Sequence, residues 1–270
     1  MKSPVLTAGA TITATMTMLG ISGTFWTPYD PLTIDATRKF GSPSTQHIFG
    51  TDQLGRDVVS VIWSGAQTSL FAALLAAGLA MLIGAASGIV AATARRTIGD
   101  AVAALATVFV AFPALLLALL IVAARGPSTA TTIFTVAIAA GASVAIVTRR
   151  DADDIMKLPF ITAAVYCGAN KWLIVRRHVL RNLFPSLIVQ ATGAASLALV
   201  AESTLSYLGL GTTPPTPSWG RMLASTQQYL LVHPLLTLLP ALFISVTVLG
   251  FNLLGDGLRE RFDPILRPNL

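Results

Sequence analysis

Few side chains in this sequence could do chemistry, and they fall in three places. Glu202 is the one acidic residue inside an otherwise apolar span. A charge there costs about 3 kcal/mol at the bilayer centre, so the side chain must face a bundle interior or water. Two readings of it stand. It lines a substrate path with Ser206, one helical turn on, and meets a cationic group such as a peptide amino terminus; or it pairs locally and orients its own helix. The second place is His47-Ile48-Phe49-Gly50-Thr51-Asp52-Gln53-Leu54-Gly55-Arg56-Asp57. Gly50 and Gly55 permit tight turns, and Asp52, Arg56 and Asp57 can pair to hold a compact loop. The bland reading is a self-pairing turn cluster without substrate contact. The third is Thr162-Ala163-Ala164-Val165-Tyr166-Cys167-Gly168, followed by Ala169, Asn170, Ile174 and His178. Ala163 and Ala164 leave little bulk, so a helix here can dock closely on another surface, and Gly168 permits a bend.

What is missing narrows the chemistry. No G-x-x-x-x-G-K-S/T run exists, so the chain cannot cradle ATP phosphates in the manner of a P-loop. His47, His178 and His233 fall on different loops and on both sides of the expected membrane, which denies one chain a zinc cluster. Cys167 is the only cysteine and no intrachain disulfide can form. Ser and Thr in the apolar runs are most simply helix-packing hydrogen bonders, and no nucleophile sits beside a base. The reading is therefore not catalytic.

The elements that must position these groups are membrane helices. Of 270 residues, 54% are hydrophobic and only 11% charged, against roughly a quarter charged in soluble domains. A helix rising about 1.5 Å per residue needs about 20 apolar residues to cross the hydrocarbon. Five segments meet that test: 68–94, 101–124, 126–148, 182–201, and a stretch within 222–255 whose helix begins near Pro234. The uncharged run 3–29 makes a sixth, favoured as a retained helix over a cleaved signal. Gly78, Gly84, Gly88, Gly141 and Gly193 are expected where helices approach closely. Two loops are long enough to act: 28–65 on one side, and 149–181 on the other, with a membrane-parallel helix over 162–178.

Charge sets the orientation. With the N-terminus inside, the inner segments hold Lys2, Arg95, Arg96, Arg149, Arg150, Lys157, Lys171, Arg176, Arg177, Arg181, Arg259, Arg261 and Arg267. The outer ones hold only Arg38, Lys39, Arg56, Arg125 and Arg221. Thirteen against five places both termini in the cytoplasm. Basic residues clustered between apolar runs orient a membrane protein and do not make a nucleic-acid face.

Four motifs, in order, resemble the permease subunits of dipeptide, oligopeptide and nickel importers. The 47–57 stretch resembles H-x-F-G-T-D-x-x-G-R-D and runs on through Ser64-Gly65-Ala66-Gln67-Thr68-Ser69-Leu70, with Gln67 at a customary Arg. Residues 162–168 are similar to the E-A-A-x-x-x-G motif of importer membrane subunits, with Thr162 at the Glu position and Arg181 at a Pro position further on. Residues 202–220, from Glu202 through Ser206-Tyr207-Leu208-Gly209-Leu210-Gly211 to Pro217-Ser218-Trp219-Gly220, resemble E-x-x-L-S-F-L-G-L-G-x-x-P-P-x-P-S-W-G. Trp219 is expected to anchor at the membrane interface. Residues 252–264 resemble the tail N-L-x-G-D-x-L-R-D-x-x-D-P.

The resemblance implies an all-α polytopic membrane protein of the type I ABC importer permease kind, with six transmembrane helices and a cytoplasmic coupling helix. Its parts would be a first helix and outer loop (1–65), a permease core (66–256) with coupling loop 149–181, and a tail (257–270). It further implies coupling to the ATPase through Thr162, Ala163, Ala164, Gly168, Ala169, Asn170, Ile174 and His178. The expected partners are a second permease subunit, two cytoplasmic ATPase subunits or one fused ATPase, an extracytoplasmic substrate-binding protein and the lipid bilayer. Mg-ATP would reside on the ATPase partners, with no cofactor in this chain. Dipeptides or oligopeptides are the expected cargo; nickel or haem-like cargo, and more remotely an ion-gradient-driven carrier, are the alternatives.

Overall fold

The computed structural model describes residues 4–262, so Lys2, Arg267 and the last residues of the tail motif, Asp263 and Pro264, lie outside the described residues. Ten α-helices follow one another: α1 (Pro4–Ser22), α2 (Val58–Thr93), α3 (Arg96–Ala111), α4 (Ala114–Arg125), α5 (Thr129–Met156), α6 (Pro159–Tyr166), α7 (Lys171–Ile174), α8 (Leu180–Tyr207), α9 (Trp219–Thr226) and α10 (Pro234–Phe262). A widened π turn, Val175–Val179, fuses α7 to α8, giving one helical run of 37 residues. Among the described residues five runs are long and apolar enough to cross a membrane, and the pair α3–α4, bent by 95°, gives a sixth candidate when taken as one span.

That sixth span differs from the single helix expected over 101–124. It breaks at Phe112, which is extended at φ −78°, ψ 128° ahead of Pro113. Proline's ring crowds the residue before it out of the helical region, so the break is local and steric. The second span differs at its start. It begins at Val58, ten residues before Thr68, because Asp57 caps it and Val58, Val61 and Ile62 are buried beside the preceding loop. An apolar-run test cannot see this extension, since it lies beside the charged motif.

The bundle centres on α2, packed against α5 and α8, with α1 lying along α10. Small residues set these distances. A Cβ on Gly84 would stand 2.5 Å from the Gly141 carbonyl oxygen, and one on Gly88 2.6 Å from that of Ala145. In lipid, where apolar tails compete equally for apolar side chains, such backbone contact supplies the dispersion energy of association. Gly78 and Gly193 differ from the expectation, with open space where a Cβ would stand. The main core (Val61, Ile62, Leu70, Leu199, Trp219) lies towards the α2 N-terminus, and a second cluster (Ile89, Ile161, Ile174, Val179, Leu183) closes its far end.

Candidate functional site

The three sequence-marked groups do not converge. The 47–57 motif and Glu202 lie at the end of the bundle where α2 begins, and residues 162–178 lie at the other.

In the 47–57 motif each charge has its own partner. Asp52 accepts from the Leu54 and Arg56 amides at 2.8 and 3.0 Å, and its second oxygen receives Arg56 Nε and Nη2 at 2.8 and 2.7 Å. Asp57 is not part of that pair, contrary to the expected triple. It meets His47 Nδ1 at 2.9 Å and caps α2 by accepting from the Ser60 amide and hydroxyl at 2.8 and 2.7 Å. A carboxylate at that position is favoured by the unsatisfied amides and the helix dipole. Gly55, at φ +76°, must be glycine twice over, since a Cβ would also stand 1.8 Å from the Asp35 carbonyl oxygen. Gly50, at φ +75°, turns the chain into Thr51, whose hydroxyl accepts from the Gly41 amide at 2.8 Å and donates to the Arg38 carbonyl. The loop thus folds on itself and reaches the start of α10, where Phe40 stacks on His233 at 4.5 Å.

Glu202 is 1% exposed. Ser206 donates to it at 2.8 Å and Ser203 lies at 3.5 Å, and the hydroxyls of Ser69 in α2 and Thr212 in the following turn stand close by. Ser69 in turn accepts from the Trp219 amide at 3.1 Å. The carboxylate therefore sits where α2, α8, α9 and the Gly209–Ser218 turn meet. Neither of the two larger cavities in this part of the bundle is lined by Glu202 or Ser206. Trp219 corrects its expectation as an interface anchor: it is fully buried, and its Nε1 donates to the Ile62 carbonyl at 3.1 Å. The neighbouring Gly and Pro signalled a turn, but not that the turn folds back over α2.

At the other end, residues 162–178 form two helices where a single one was expected. Pro159 starts α6, where its missing N–H costs nothing. Gly168 ends it at φ +82° while the Gly168 amide donates to the Val165 carbonyl at 2.9 Å and that of Ala169 to Ala164 at 3.0 Å. Asn170 then caps α7, its Oδ1 accepting from the Leu173 amide at 2.8 Å. Ile161 and Ile174 are buried side by side in the second cluster, and the Phe160 ring lies 5.8 Å from that of His178. Thr162, Ala163, Val165, Tyr166, Cys167, Gly168 and Asn170 are exposed, with Ala164 and Ala169 half-buried. The result is a short helix anchored along one side and bare along the other.

Residues 84–268 match the family of binding-protein-dependent transport system inner membrane components. The chain belongs to that family. It is 34% identical over 267 residues to the dipeptide transport system permease protein of Bacillus subtilis, covering 98% of this chain and 83% of that one. It is 35% identical to the glutathione transport system permease protein of Pectobacterium atrosepticum (93% and 85% covered) and 31% to the nickel transport system permease protein of Escherichia coli (94% and 92%). The fold is similar to a chain of the MetNI methionine ABC transporter in an inward-facing conformation, at a TM-score of 0.60 and 16% identity, over 71% of this chain and 91% of that one.

The protein is accordingly a multi-pass membrane permease of a binding-protein-dependent ABC importer, with ATP hydrolysis on separate chains. Permeases of this family work with other permease, ATPase and binding-protein subunits. That membership leaves no ground for the ion-gradient-driven alternative. Sequence reasoning overlooked Ser69, Thr212 and Arg221. Ser69 and Thr212 are neighbours of a buried acid, a signal that spacing along one helix cannot carry, and Arg221, one residue past the 202–220 motif, was read only as a loop charge.

Proposed function

We propose that this chain is one of two membrane subunits of a dipeptide or oligopeptide importer, with both termini in the cytoplasm and α6 as the element that receives the ATPase. The observation that carries this reading is α6 itself: small residues on a bare face, a glycine-locked turn, and a side pinned by Ile161 into the cluster that holds α2, α5 and α8. A push on such a helix moves the bundle and not merely a loop, because close-packed interiors transmit displacement. Closure of the ATPase pair on ATP would tilt the helices and open the path to the outer side. The Glu202 network is a brace, keeping the Gly209–Ser218 turn fixed on α2 and α8 while they move. Peptide cargo is favoured by the similarity to the B. subtilis dipeptide permease across 98% of the chain.

The test is reconstitution of this chain with its partner permease, ATPases and binding protein in liposomes. ATP-dependent uptake of labelled di- and oligopeptides is expected, without uptake of labelled nickel. Nickel uptake with no peptide uptake overturns the cargo reading, and uptake without the ATPases overturns the mechanism. Orientation has its own test in Cys167, the only cysteine and an exposed one. A membrane-impermeant maleimide should label it in inverted vesicles and not in intact cells.

A further inference from the structure

The outer loop and the Gly209–Ser218 turn enclose a cavity of about 270 Å³ that neither the Glu202 network nor α6 uses. Its walls are apolar at Leu32, Ile34, Leu54 and the proline run 214–217, and Arg56 and Arg221 both line it. The two guanidiniums are unequally served. Arg56 is held by Asp52 at 2.7 Å, whereas among the described residues the Arg221 guanidinium finds only the Thr212 carbonyl, at 3.2 Å from its Nη1. The other acids of this face are engaged elsewhere: Asp57 with His47, Asp35 with Arg38, and Asp30 with the Leu32 amide and Thr33 hydroxyl. Burial, and then the charge of Arg56, both depress the Arg221 pKa, so an arriving anion would relieve a cation held without a counter-ion. Gln53, on the same wall, keeps its Oε1 shielded and without a donor.

An occupant that suits these walls offers a carboxylate to Arg221 and modest apolar bulk. An Asp or Glu in an exposed loop supplies both through one residue and its backbone, and guanidinium pairing with carboxylate is both strong and directional. The family to which the chain belongs is defined by dependence on a binding protein, and the cavity opens on the side assigned above to that partner. We propose that this cavity receives an acidic loop residue of the binding protein, with Arg221 as its counter-ion, an inference that rests on the orientation and function proposed above. The volume holds one side chain with its flanking backbone, so the contact is a peg that registers the binding protein over the bundle.

The test uses the assembled importer in nanodiscs, titrated with its own binding protein. Arg221→Glu is expected to weaken association about tenfold or more, Arg221→Lys far less, and raised ionic strength to narrow the gap between Arg221→Glu and the unaltered chain. Unchanged affinity in Arg221→Glu overturns the proposal. Should that variant fail to assemble, as gel filtration would show, a photo-crosslinker at exposed Thr216 decides instead. Adducts to an acidic loop of the binding protein support the peg; adducts to lipid alone, or to no binding protein, overturn it. Association that persists without Arg221 removes the peg and leaves the importer reading intact. An unaltered importer that takes up peptide without any binding protein removes the importer reading itself.

Discussion

Replacing Gly168 separates backbone geometry from crowding. Gly168 holds φ at +82°, and no heavy atom lies within 4 Å of where a Cβ would stand. A larger side chain therefore meets no neighbour, and the whole cost is conformational. For an L residue that cost is about 1–2 kcal/mol in the left-handed region, less for Asn and more for a β-branched residue. If the strain is relieved by relaxing the turn, the Val165 and Ala164 carbonyls lose their amide donors and α6 swings away from the Asn170 cap. About 1.4 kcal/mol is tenfold in an equilibrium, so the docking-competent turn falls about tenfold in Gly168→Ala and further in Gly168→Val, with Gly168→Asn between Ala and the parent. The assay is peptide uptake and binding-protein-stimulated ATP hydrolysis in liposomes holding the full complex. Because α6 is peripheral to the main core, amounts of assembled complex should stay level. A graded loss in the order Val, Ala, Asn supports the reasoning. Equal, full uptake in all three refutes it, since the one strained turn beside the bare helix would then have no part in coupling.

Other outcomes follow from the same geometry. Ala163→Trp puts bulk on the bare face of α6 without touching the fold, and should abolish ATPase stimulation while the thermal midpoint in detergent is unchanged. Glu202→Leu strips the acceptor from Ser206 and should destabilise by about 1–3 kcal/mol, with Glu202→Gln within about 1, read as thermal midpoints. Gly84→Leu drives a side chain into the Gly141 carbonyl and Val144, so little folded protein should accumulate in membranes. Asp52→Asn weakens the Arg56 pair and should leave the 47–57 loop open to limited proteolysis, by loss of about 1–2 kcal/mol.

Much of the architecture was legible because lipid imposes a one-dimensional rule: a run of about 20 apolar residues must span. The loop motifs were equally legible as local devices, since a glycine or a capping Asp or Asn works on residues within a few positions. Asp57 shows where that legibility ends. Its type announced a charge pair, but the choice of His47 over Arg56 depends on how the loop folds over Ser60. The bent α3–α4 pair lay between these cases. Pro113 was visible, but a proline inside an apolar run is compatible with either a kinked or a broken helix.

The sequence by itself determined that this chain lives in a bilayer, has no phosphate-cradling loop of its own, and carries a small-residue helix at one end. Solvent preference and backbone sterics act residue by residue and need no neighbour. Only the tertiary structure decided that Glu202 is buried where α8 meets α2, that Trp219 is core and not interface, and that Arg221 stands without a counter-ion among the described residues beside a cavity. Each of those depends on which groups meet across 100 or more residues of chain, as Trp219 does with Ser69 at a separation of 150, and such meetings are settled by packing alone.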